Sequence, residues 1–367
     1  MDTTQPESLP KPSTRIYGFD VARAFAIFGM VIVNFNIAMD TANAGPAWLT
    51  TFVQLFEGRA AATFVVLAGI GISLMGRRAL ASMDPQDITK NRARLLKRSA
   101  FLLIAGLLHT LIWSADILHF YGLYFLFAAF IFMVPDRVLL WLAGLFTVVF
   151  VILFFLVDYE LGWEFESLTY YHSWTITGIL RYLFYNGLHP VFPWMSFVFV
   201  GMWLGRQDLS QPQLRRRLLF ASIGIVLAST LLSNWAVAQS SLAMDAETAE
   251  AIFGNSPFPP MPLYVLAGGG TAIAVIMLCL MLAESFESAL WLRALISTGQ
   301  IALTLYIAHV VVGMGTLEAI GRFEDQTLAF SVGSAFVFCA LSVVFAYFWR
   351  LRFSRGPLEA LMRRLTG

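Results

Sequence analysis

Apolar residues gather along this chain into runs of about twenty, separated by short polar stretches. A membrane-spanning helix needs about 20 consecutive, mostly apolar residues. Ten segments meet that description, at 18–39, 59–76, 98–113, 117–134, 137–157, 179–205, 217–238, 261–284, 299–320 and 328–350. The third is short at its far end, and the sixth is long and interrupted by Gly187, Pro190 and Pro193. The pattern predicts an all-α fold: a polytopic membrane helix bundle of about ten transmembrane helices. One bundle is expected over 17–353, with 1–16 and 354–367 as cytoplasmic extensions. The first sixteen residues are polar and hold Asp2, Glu7 and three prolines. A cleavable signal peptide is therefore not expected, and the first apolar run should act as an uncleaved signal anchor.

Charge gives the bundle a direction. Cytoplasmic loops of membrane proteins carry an excess of Lys and Arg. With the N-terminus cytoplasmic, 21 of the 24 Lys and Arg fall on the inner side, and only Arg59, Arg181 and Arg322 fall outside. One missed helix would scramble every later loop. Both N- and C-termini are therefore expected in the cytoplasm, with the chain a multi-pass protein of the plasma (inner) membrane. The loops 158–178 and 239–260 agree, since Asp158, Glu160, Glu164 and Glu166 in one and Asp245, Glu247 and Glu250 in the other meet no Lys or Arg. All five histidines (His109, His119, His172, His189 and His309) belong to the outer half or the outer loops.

Composition sharpens the class. The chain is 58% hydrophobic and 13% charged, against roughly 25% charged in ordinary globular domains. At a mean hydropathy of +0.72, the apolar residues exceed what a core could hide, so membrane lipids cover the rest. A net charge of +1 excludes a nucleic-acid-binding module. Cys279 and Cys339 sit inside apolar runs, with no disulfide framework and no zinc-ligand spacing, so no metal is expected.

Ionisable groups inside a span default to functional hypotheses. Asp20 and Arg23 are three apart at the inner end of the first span, on one face and able to pair. They mark either a helix start with a snorkelling arginine or a grip on an anionic cofactor. Asn34 lies three turns beyond Arg23 on nearly the same face, about 16 Å away. It either bridges neighbouring helices or lines a cavity. The densest cluster is His109, Asp116 and His119, in a tight outer hairpin between the third and fourth spans. A carboxylate beside an imidazole fixes its tautomer and raises its basicity, as a general base requires. The plain alternative is Asp116 as a helix cap. His189 sits at the Pro190–Pro193 break beside Trp194, where freed carbonyls need protein or water partners. Tyr306 and His309 stand in mid-span. The site expected from these residues has His109, Asp116 and His189 as catalytic groups, with Asp20, Arg23 and Asn34 on the cofactor. His119, Trp194, Tyr306 and His309 would then contact the substrate.

Five segments carry a resemblance: Gly18 to Gly29, His109 to Leu118, Asn186 to Pro190, Gly299 to Tyr306, and Arg355 to Arg363. Together, in order from about residue 14 to 366, they resemble the DUF418 membrane protein family. That family is similar to a transmembrane acyltransferase superfamily that includes lysosomal heparan-α-glucosaminide N-acetyltransferase and bacterial cell-surface O-acetyltransferases. The resemblance implies transfer of an acyl group, acetyl above all, from cytoplasmic acyl-CoA (acetyl-CoA) to a sugar or lipid acceptor near the outer face. In the O-acetyltransferase relatives the first span carries Arg-x10-His, with that His the proposed base. Here the slot holds Asn34. The heparan enzyme instead resembles Arg-x10-Asn with its His in the loop beyond, but Asp40 to Trp48 holds no histidine. The base must then come from elsewhere, and His109 with Asp116 is the best candidate.

A small-molecule or lipid transporter is the second reading. Split five and five, its Pro-broken sixth and eighth spans should be mirrored in the first and third, and neither contains a proline. A non-catalytic scaffold or sensor, for instance a homodimer, is the third, and clustered outer His and Asp argue against it.

Overall fold

A computed structural model of the chain describes residues 15–41, 45–164, 169–171 and 175–367. Most of the expected N-terminal extension, with Lys11, and also Glu166 and His172, lie outside the described residues. Twelve helices make the frame. They are α1 (Tyr17–Ala38), α2 (Arg59–Ser82), α3 (Pro85–His109), α4 (Leu118–Ile131) and α5 (Asp136–Leu156). Then come α6 (Ile176–Asn186 with Val191–Leu204), α7 (Pro212–Ser240), α8 (Pro262–Ser285) and α9 (Leu290–Gln300). The last are α10 (Ala302–Ala319), α11 (Leu328–Arg352) and α12 (Pro357–Thr366). Shorter helices Ala47–Gln54 and Ala246–Phe253 and a two-residue β-pairing of Trp163–Glu164 with Thr169–Tyr170 fill the connections.

All ten apolar runs are helical, and the chain is an all-α polytopic bundle. Ten is an approximate count of spans. Among the described residues seven helices are long and apolar enough to cross a membrane, and the two halves of α6, bent by 46°, make an eighth. The other two runs are α3 and α4. Half of α3 is amphipathic, carrying Lys90, Arg92, Arg94, Lys97 and Arg98. With 14 residues, α4 is about 21 Å long, short of the roughly 30 Å hydrocarbon core.

The core follows from which helices bury small residues. Gly69 of α2 lies against the backbone of Val198 and Gly201 in α6, and Gly18 of α1 against Leu280 of α8. Missing Cβ atoms let those helices approach backbone to backbone. Helix α1 sits at the centre, packed on α2, α8, α9 and α11, while α5 and α7 lie outside. Large apolar side chains of the outer pair, such as Trp141, Phe155, Phe220 and Leu231, are exposed, as a lipid-facing surface requires.

Candidate active site

The α3–α4 hairpin assembles the polar core. Gly106 lies directly against the backbone of His119, and Gly122 against Leu103, so the two helices touch where most side chains would hold them apart. That contact brings residues 109 and 119 to either side of Asp116, which is fully buried. His109 Nδ1 is 2.9 Å from Asp116 Oδ1, and His119 Nδ1 is 3.0 Å from Oδ2. A carboxylate only accepts, so both Nδ1 atoms carry the proton, and a neutral ring keeps its lone pair on Nε2. His109 Nε2 is buried without a hydrogen-bond partner.

The same carboxylate also caps α4. Oδ2 accepts the His119 backbone N–H at 3.1 Å. The catalytic and capping readings of Asp116 are therefore geometrically compatible. Tyr306 Oη donates to Oδ1 at 3.3 Å and accepts the Ile117 N–H at 3.1 Å. One residue thus ties α10 to the hairpin.

Helix α10 changes register at this level. Residues His309–Met314 form a π-helical turn, a feature that often accompanies functional sites. His309 Nδ1 donates to the Tyr306 carbonyl. Its Nε2 must then accept, and Asn34 Nδ2 supplies the hydrogen at 2.9 Å. Half-buried Asn34 and buried His309, 275 residues apart in the chain, are one hydrogen-bonded pair.

Two cavities flank this core. The larger, about 730 Å³, opens at the end where α1 begins; Arg15, Arg23, Arg77 and Arg98 line it, with Asp20 and Glu359. Asp20 is the organiser. It accepts from Arg15 at 2.8 and 3.0 Å, from Arg23 at 2.7 Å, and from Gln300 at 3.2 Å. Glu359 of α12 is likewise engaged, accepting the Leu303 and Thr304 backbone N–H groups and the Thr304 hydroxyl. Four guanidinium groups against two occupied carboxylates leave the cavity electropositive. The smaller cavity, about 290 Å³, opens toward the other end of α1, and Asn34, Glu57, His189, Trp194 and Tyr306 line it among apolar groups.

A single layer divides the two. Ile117 faces the small cavity, while Leu118 and Tyr121 face the large one. Ala302 and Leu303 belong to the large cavity and Tyr306 to the small one, one helical turn or about 6 Å further along α10. His109, Asp116, His119 and His309 stand behind the layer and line neither cavity.

Residues expected in one group are thus divided. Asp20 and Arg23 share the arginine cavity, whereas Asn34 belongs with Tyr306, His189 and Trp194 on the opposite side. The His189 ring packs edge-on against Trp194, 4.5 Å between centroids, and its carbonyl accepts the Tyr124 hydroxyl at 2.7 Å. Sequence reasoning missed Arg15, Arg98, Gln300, Glu57 and Tyr121. Tyr121 had a local signal, being the middle of a Leu118–Tyr121–Phe125 stripe at helical spacing, and Gln300 lay within the Gly299 to Tyr306 segment.

The catalytic-domain model of heparan-alpha-glucosaminide N-acetyltransferase matches residues 15–218, more than half of the chain. The chain belongs to that family. A second model, described as a protein of unknown function (DUF418), matches residues 201–367. The resemblance read from five motifs is borne out by both. No curated protein matches the chain. The polar core draws on both matched regions: Arg23, Asn34, His109, Asp116, His119 and His189 come from the family's catalytic region, and Tyr306 and His309 from the DUF418 region.

Proposed function

We propose that this protein moves an acyl group, acetyl in the first instance, from acyl-CoA in the arginine cavity to a hydroxyl or amine in the small cavity. The acceptor is a sugar or lipid, and the arginine cavity opens to the cytoplasm across the plasma membrane. One observation carries the reading. Two cavities of opposite character share a dividing layer one turn thick, with a buried histidine–carboxylate unit directly behind it.

The chemistry follows from the residues. Guanidinium groups attract and hydrogen-bond phosphate oxygens, so the positive potential of Arg15, Arg23, Arg77 and Arg98 suits the phosphates of the donor's nucleotide. The acceptor nucleophile adds its lone pair to the thioester carbonyl carbon and loses its proton to His109. Asp116 stabilises the imidazolium that forms, and Tyr306, bonded to that carboxylate and lining the small cavity, connects the base to the acceptor. Collapse of the tetrahedral adduct breaks the C–S bond, and the departing thiolate takes the proton as CoA thiol. His189 is the histidine that lines the small cavity itself and is the second candidate base.

Thiol release from acetyl-CoA by the purified protein in lipid nanodiscs tests this. Wild type should release thiol, and His109→Ala should lose about 10²–10⁴-fold in rate. A well-folded wild type that neither binds acetyl-CoA nor releases thiol would refute acyl transfer, and would favour transport through the two-cavity path.

A further inference from the structure

Buried hydroxyl groups normally find a partner, which makes an exception on a cavity wall informative. Tyr121 is 5% exposed, and its hydroxyl has no hydrogen-bond partner among the described residues. It lines the arginine cavity from α4, two residues after His119, at the layer that divides the cavities. The other buried phenols near the layer are accounted for. Tyr124 donates to the His189 carbonyl, and Tyr306 serves Asp116 and Ile117. Tyr264 also has a free hydroxyl but lines neither cavity. Tyr121 alone among them combines an unused donor with a place on the donor cavity wall.

We infer that Tyr121 is the oxyanion donor of the reaction, its hydroxyl aimed at the carbonyl oxygen of the bound thioester; this rests on the acyltransfer reading. As the nucleophile adds, the carbonyl π pair moves onto oxygen. The Tyr121 O–H donates a hydrogen bond to that developing charge and keeps its proton, and the pair returns when the C–S bond breaks. A fixed donor in a site without competing water is worth most when charge develops. Arg23, lining the same cavity, adds positive potential without having to touch the oxygen. The phenol of Tyr121 packs on Phe64 at 5.6 Å and Tyr124 at 5.7 Å between ring centroids, which fixes its direction.

Tyr121→Phe removes only the oxygen, and no protein partner is left stranded. A purely structural Tyr121 therefore predicts an unchanged or higher thermal midpoint with full activity. The oxyanion role predicts the same fold with kcat down about 10²–10³-fold and KM for acetyl-CoA nearly unchanged. Difference infrared spectra of bound acetyl-CoA labelled with ¹³C at the carbonyl supply a readout without turnover. The carbonyl stretch should lie lower in wild type than in Tyr121→Phe, and lower still with the more acidic 3,5-difluorotyrosine at position 121. Wild-type kcat in the variant, or identical carbonyl stretches, would overturn the assignment. A wild type that turns nothing over refutes acyltransfer instead, and the infrared comparison still decides whether Tyr121 touches the carbonyl.

Discussion

Asp116 accepts hydrogen bonds from both histidines, the His119 backbone and Tyr306, so no single substitution there is simple. Asparagine would keep the cap, since Asn and Asp cap about equally well. It would also turn an N–H toward one of the present donors and force a histidine into its other tautomer. Asp116→Asn should therefore leave the thermal midpoint nearly unchanged while lowering turnover by about 10²–10⁴-fold. The loss in the Asp116→Asn, His109→Ala double variant should be far less than the product of the single losses, because a base without its orienting partner is already compromised. A double-mutant cycle on turnover checks this, and additive losses would return the hairpin to a structural role. The His109–Asp116 pair was legible because seven residues of tight hairpin separate its members. The Asn34–His309 pair was not, since nothing local to either residue specifies a partner so distant in the chain. Asn34→Ala leaves His309 Nε2 buried without its donor, and should cost about 1–2 kcal/mol in reversible unfolding in mixed micelles. A cost indistinguishable from zero would mean that water replaces the amide.

Helices were easier to anticipate than their ends and breaks. A long apolar run in lipid has few alternatives to a helix, because every backbone group must be satisfied within the segment. The bend in α6 was likewise legible from Gly187, Pro190 and Pro193. The third run was expected at 98–113, yet α3 begins at Pro85 and ends at His109. Its first turns are amphipathic, and an apolar count overlooks a helix stabilised by packing on one face. The π-turn at His309–Met314 contains no proline, and its Gly313 lies close against Phe35 of α1 and Phe338 of α11, partners that nothing local in the sequence specifies. Close approach by small residues is the remaining device at this scale, and Gly106 tests it. A methyl at 106 would meet the His119 backbone, so Gly106→Ala should destabilise by about 1–3 kcal/mol and depress turnover by displacing Asp116. Gly144 of α5 has open space around it, and Gly144→Ala should be neutral or stabilising by about 0.5–1 kcal/mol. Thermal unfolding of the two variants side by side separates packing from propensity. Equal behaviour would deny the hairpin its close contact.

At the scale of the whole molecule the two cavities lie toward opposite ends of α1, so the chemistry needs the bundle to sit one way round. Under the proposed function the donor is charged and made in the cytoplasm, which requires the cavity with four arginines to face that side. The Lys and Arg distribution predicts the same orientation from a separate physical cause, the retention of Lys- and Arg-rich loops on the cytoplasmic side during insertion. Charge that orients the chain and charge that would hold the donor therefore belong to one end, with Arg15, Arg23, Arg77 and Arg98 counted in both. The native cysteines, Cys279 and Cys339, are buried, which leaves a quiet background for labelling. Ser210 and Ala243 are exposed and flank the two ends of α7. In intact cells a membrane-impermeant maleimide should label Ala243→Cys and spare Ser210→Cys, and permeabilised cells should label both. The reverse pattern would turn the arginine cavity outward, away from any cytoplasmic thioester. Acyl transfer from acyl-CoA would then fail as a function even with every distance in the site unchanged.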